Sequence, residues 1–200
     1  MNNLLIPDYR FARLSSLTPD WLRQHGYQAL LLDLDNTFLR RDREQVPPDQ
    51  IHWVRLLRQH GIAVVFVSNS GGGRLRHVRE VTGCPAVSWA LKPWGRAFRK
   101  ALALLPPDTP ALVVGDQLFT DVLGAHLAGL PAALVASLGS PEFVFTRAMR
   151  RLETVVIRRA RAQQRWPRQR DGEERTVPHG KPAVSVGIVG EKDREKAGIS

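Results

Sequence analysis

Ala29-Leu30-Leu31-Leu32-Asp33-Leu34-Asp35-Asn36-Thr37 is the stretch on which the fold turns. The apolar run Ala29–Leu34 reads as a buried strand, and Asp33 and Asp35 leave its end pointing to the same side. Downstream the pattern repeats. Pro47–His60 carries Ile51, Val54, Leu56 and Leu57 between a proline start and Gly61, which predicts a helix. The β-branched run Ile62–Val67 predicts a second buried strand. Gly73–Val81 reads as a helix, Ala86–Ser88 as a short strand, and Trp94–Leu105 as a helix stopped by Pro106-Pro107. Ala111–Val114, Thr120–Ala128 and Ala132–Ala136 complete the series as strand, helix and strand. Continuous apolar strands alternating with amphipathic helices predict an α/β, Rossmann-like fold: a parallel five-stranded sheet with helices on both faces. Chemistry in such sheets gathers at the carboxyl ends of the strands.

Composition narrows the function classes. The 200 residues are 43% hydrophobic, enough for a sizeable core, and carry a formal net charge of +10. That excess favours an anionic partner: a phosphorylated substrate, an anionic membrane surface or RNA. The single cysteine, Cys84, excludes an internal disulfide and any multi-cysteine metal site, and fits a reducing, cytoplasmic setting. No signal peptide and no transmembrane segment is legible, so contact with a membrane would be peripheral, on its inner face.

Four places carry candidate chemistry, each at the end of a successive predicted strand. Asp33 and Asp35 could share a divalent cation, although paired acids also build ordinary turns. Ser68-Asn69-Ser70 before Gly71-Gly72-Gly73 offers a hydroxyl and backbone N–H groups to phosphate oxygens, or simply caps the next helix. Lys92-Pro93 could neutralise a reacting anion, or be a surface lysine. Asp116, leaving its strand after Gly115, and Asp121, five residues on, could complete an oxygen-ligand site of the kind magnesium requires, or favour a helix start.

Taken together, Asp33/Asp35/Thr37, Ser68, Lys92 and Asp116 with Asp121 resemble the four motifs of the haloacid-dehalogenase-like (HAD) superfamily over about residues 5–157. The runs Leu31–Thr37, Val67-Ser68-Asn69, Ala90–Pro93 and Gly115–Gly124 look like subfamily IIIA, the YqeG-type phosphatases, a group similar to mitochondrial and plastid phosphatidylglycerophosphate phosphatases. Ser70 and His126 stand where asparagine is common, at positions read as clear of the chemistry.

The resemblance implies a role for each residue in a phosphoric monoester hydrolase. Asp33 is the nucleophile that forms an aspartyl-phosphate, and Asp35 the general acid and then base. An acid at position 35 favours rapid turnover of the covalent intermediate. Mg2+ is implied between the Asp33 side chain, the Asp35 carbonyl and the Asp116 side chain. Asp121 supports the metal or pairs with Lys92. Ser68, Asn69 and Lys92 hold the phosphoryl oxygens, and Thr37 fixes the nucleophile loop.

The intervals 38–67 and 69–91 leave no room for a lid (cap) domain, so an open site suited to a large substrate is expected: a lipid such as phosphatidylglycerophosphate, a protein or a nucleic acid. Four segments are expected: 1–28 packing on the core, 29–142 carrying catalysis, 143–166 as a basic amphipathic helix and 167–200 as a disordered tail. Phe145, Met149, Leu152, Val155 and Val156 form the apolar stripe of that helix, among nine arginines and one acid between Arg147 and Arg170. Its arginines could face an anionic membrane or grip RNA with the phosphatase fold as a scaffold. A soluble phosphatase of proteins or small metabolites is the third reading.

Overall fold

The computed structural model describes residues 4–94, 96–139 and 144–170, with the backbone alone for 144–151. The strands are β1 (Tyr9–Phe11), β2 (Ala29–Asp33), β3 (Ala63–Val67), β4 (Ala86–Val87), β5 (Ala111–Gly115), β6 (Ala132–Val135) and β7 (Gln169–Arg170). The helices are α1 (Pro19–Gln24), α2 (Pro48–Gln59), α3 (Gly73–Thr82), α4 (Arg96–Leu102), α5 (Leu123–Leu127) and α6 (Val144–Ala162).

All pairings are parallel, in the order β4-β3-β2-β5-β6-β1-β7. The sheet therefore has seven strands rather than the five expected. The two additions, three and two residues long, are too short to carry a periodic signal. β1 pairs with β6 through Phe11↔Val135, and β7 extends the edge through Phe11↔Arg170. Of the segment 167–200 read as a tail, Gln169–Arg170 form β7, and residues from 171 on lie outside the described residues.

β2 is buried along its whole length, because both faces of the sheet are covered. Alternation divides its side chains. Leu30 and Leu32 join Val64, Phe66, Val54, Leu57, Leu75 and Val78 under α2 and α3. Leu31 joins Val65, Val113, Phe98 and Ala125 under α4 and α5. From β2 the chain builds outward to β3 and β4, then crosses back to β5 on the other side. That reversal opens a crevice at the carboxyl ends of β2 and β5, which is where such folds bind ligands.

The helix boundaries follow local chemistry. Thr18 Oγ1 accepts the Trp21 N–H at 3.1 Å and caps α1, with Pro19 in its first turn. Gly83, at φ 65°, ends α3 in the left-handed conformation. α4 starts at Arg96 rather than Trp94, after a loop pinned to β3. α6 also departs from its expected stripe. Glu153 and Ala160 are buried, and Val156 and Ile157 pack on the core. Leu152 and Val155 stay 54% and 59% exposed. The inward face is thus rotated from the one the apolar residues suggest, and Phe145 and Met149 lie outside the described side chains. Among the described residues no helix is long and apolar enough to cross a membrane.

Candidate active site

Three carboxylates meet in the crevice. Asp33 comes from the last position of β2, Asp116 from the residue after β5, and Asp121 from the helical turn Leu118–Val122. One oxygen from each lies within 4.8 Å of the others, and all three residues are buried. Gly115 permits this convergence: a Cβ there would overlap the Asp121 carboxylate. The Gln117 N–H donates to Asp121 Oδ2 at 3.2 Å, and Thr37 Oγ1 donates to Asp116 Oδ1 at 3.4 Å. Thr37 thus ties the loop after β2 to β5.

Lys92 is the cluster's buried cation. Its Nζ donates to Asp33 Oδ1, to Asp121 Oδ1 at 2.8 Å and to the Val67 carbonyl at 3.2 Å. Burial alone would lower its pKa, but Asp121 and Asp33 more than compensate and raise it, so Lys92 stays charged. Burial, with Asp121 and Asp116 nearby, holds Asp33 well above the ordinary carboxylate range despite Lys92. Three buried carboxylates converging beside one ammonium make an all-oxygen donor set that fits a hard divalent cation.

Asn69 positions the lysine rather than the cluster. Its Oδ1 accepts the Lys92 N–H at 2.7 Å, and its Nδ2 donates to the Lys92 carbonyl at 3.4 Å. The Lys92–Pro93 peptide is cis.

Asp35 sits apart from the three acids, in its own polar socket. Its Oδ1 accepts from Arg74 Nη1 at 2.6 Å, and its Oδ2 from Ser70 Oγ at 3.0 Å and Ser68 Oγ at 3.3 Å. Arg74 also donates to the carbonyls of Arg43 and Arg40, at 3.0 and 2.9 Å. One sequence expectation is corrected here: Ser70 touches the candidate general acid directly. The Ser68 hydroxyl lies beside it, in contact with Asp35 and Ser70. His126, by contrast, bonds the Leu4 carbonyl and Asp8 away from the crevice. Sequence reasoning missed Arg74 altogether. The available signal was a basic residue in the first turn of α3, just beyond the glycines. It also missed Glu153, whose Oε1 accepts the Leu118 N–H at 2.7 Å and ties α6 to the turn carrying Asp121.

Residues 1–83 match the family described as mitochondrial PGP phosphatase, and residues 90–142 match the HAD-hydrolase-like family. The "Probable phosphatase YqeG" of Bacillus subtilis (strain 168) is 32% identical over 158 residues, covering 78% of this chain and 92% of that protein. Among solved structures, a Listeria monocytogenes serotype 4b protein aligns at 17% identity over 58% of this chain and 84% of its own, with a TM-score of 0.45. A putative p-nitrophenyl phosphatase from Bacillus subtilis aligns at 17% identity over 64% and 68%, with a TM-score of 0.22.

Proposed function

This chain belongs to the YqeG-type phosphatases of the HAD-like hydrolases, and from that premise we propose that it is a magnesium-dependent phosphomonoesterase working through an aspartyl-phosphate at Asp33. The observation that carries this reading is the buried cluster of Asp33, Asp116 and Asp121, with Lys92 bridging Asp33 and Asp121.

In the first half-reaction an Asp33 oxygen bonds to phosphorus while the bond to the ester oxygen breaks. Asp35 gives the departing alcohol its proton. In the second, Asp35 takes a proton from water as the water oxygen attacks phosphorus and the bond to Asp33 breaks, releasing inorganic phosphate. Lys92, the Asn69 N–H and the Ser68 hydroxyl receive phosphoryl oxygens. Asp33, the Asp35 carbonyl and Asp116 would hold Mg2+, with Asp121 supporting, and the ion would supply positive charge to the reacting phosphate.

The substrate we infer is a bulky or membrane-borne phosphate, such as phosphatidylglycerophosphate. α2 and β3 account for much of the interval after Asp35, and α3 and β4 for much of the one after Asn69, so no cap encloses a small molecule among the described residues. The reading places the protein on the cytoplasmic side, meeting the membrane peripherally. The test is hydrolysis of a soluble aryl phosphate and of phosphatidylglycerophosphate in vesicles, with Mg2+ or a chelator. Magnesium-dependent turnover that is faster on the vesicle substrate is expected. A folded protein that turns over neither rejects the reading.

A further inference from the structure

The loop between β4 and α4 turns its largest apolar side chains outward. Trp89, Leu91 and Trp94 are each 68% exposed, whereas Ala90 and Lys92 between them are buried. Slackness is not the cause. The Ala90 N–H bonds the Ser68 carbonyl at 3.0 Å, the Lys92 N–H bonds Asn69 Oδ1 at 2.7 Å, and the Trp94 N–H bonds the Leu91 carbonyl at 3.1 Å. Trp89 and Leu91 hold positive φ angles of 49° and 54°, a region bulky residues rarely occupy. Such conformations persist only where the surroundings impose them, and they gather at functional surfaces. The Trp89 indole also lies against Gly71, where a Cβ would stand 2.5 Å from Nε1. The apolar rim is therefore built onto the loop that follows Ser68-Asn69-Ser70.

The two segments that form the rim and begin the helices next to it carry charge of one sign. Segments 68–79 and 89–100 contain no acid, and Arg76, Arg79, Arg96, Arg99 and Lys100 in them are exposed. Tryptophan with leucine beside exposed cations suits the interface of an anionic bilayer, where indole rings sit at headgroup depth and the cations meet lipid phosphates.

We propose that Trp89, Leu91 and Trp94 form an interfacial anchor that docks the site mouth on an anionic lipid surface. The purpose of the anchor rests on the phosphatase reading, but its binding does not. It moves the membrane contact from the arginines of α6 to the rim beside Lys92.

The test compares the full chain with a W89N/L91N/W94Q variant, asparagine being tolerant of positive φ. Sedimentation with equimolar phosphatidylcholine–phosphatidylglycerol vesicles reads binding, and bromine-labelled lipids read tryptophan quenching. The parent should bind and be quenched. The variant should bind about tenfold more weakly or worse and lose most quenching, with soluble aryl phosphate turnover unchanged. Equal binding by both chains, or binding without quenching, overturns the anchor. So does a variant whose lost property is self-association or RNA binding instead. A parent that ignores vesicles yet hydrolyses the soluble ester also overturns it and leaves the phosphatase reading standing. Rim-dependent binding by a chain that hydrolyses nothing supports the anchor and rejects that reading.

Discussion

Arg74 and Asp35 form a 2.6 Å ion pair across 39 residues of sequence, and the arginine reaches it with its other nitrogens bonded to the Arg40 and Arg43 carbonyls. One planar guanidinium thereby fixes both the candidate general acid and the loop after β2. A lysine has no such fork. Arg74→Met should lower kcat on a soluble phosphomonoester on the order of 10²-fold, the scale of a displaced general acid. Arg74→Lys should recover only part of this. Wild-type kcat in Arg74→Met would show that the pair has no part in turnover.

Asp33→Asn separates chemistry from folding. Burial and the neighbouring acids disfavour charge on Asp33, and Lys92 keeps Asp121 as a partner. The variant should melt at or above the parental temperature, since it removes one of three crowded carboxylates. Its turnover should fall by about 10³-fold or more, as expected for loss of a nucleophile. Parental turnover would refute the nucleophile assignment.

Gly115→Ala tests the convergence itself. The added methyl would displace the Asp121 carboxylate from the cluster. A cost of about 1–3 kcal/mol in stability is expected from overpacking, with a higher magnesium concentration needed for half-maximal activity. Calorimetry and a magnesium titration read the two effects. An unaltered magnesium requirement would mean Asp121 does not support the ion.

Folding stability should depend on pH through His126 and Asp8, whose side chains meet at 3.0 Å. Burial opposes charge on His126, but the Asp8 contact and the Leu4 carbonyl outweigh it and raise the imidazole above its ordinary 6.5. That contribution is full below pH 6.5 and is lost as pH rises through the raised folded value. Burial likewise opposes charge on Asp8, yet the His126 and Ala132 N–H bonds lower it below 3.8. Its share is present above pH 3.8 and is lost as pH falls through the lowered folded value. His126→Asn should flatten the alkaline decline in melting temperature between about pH 6 and pH 9. Parallel curves for the two proteins would discount the pair.

The sequence by itself determined the alternation of strands and helices and the order in which Asp33, Ser68, Lys92 and Asp116 fall at strand ends. Both are written locally: apolar runs make buried strands, glycine and proline end elements, and a residue that leaves a strand lands at the sheet's carboxyl edge. Tertiary structure alone decided which side chains meet there. Asp35 is held by Arg74 and Ser70, Glu153 secures the turn bearing Asp121, and β1 and β7 join the sheet. It also decided that Trp89, Leu91 and Trp94 face solvent while Lys92 between them is buried. These contacts join residues 35 or more apart in sequence, or depend on a backbone angle, and no short-range periodicity encodes either.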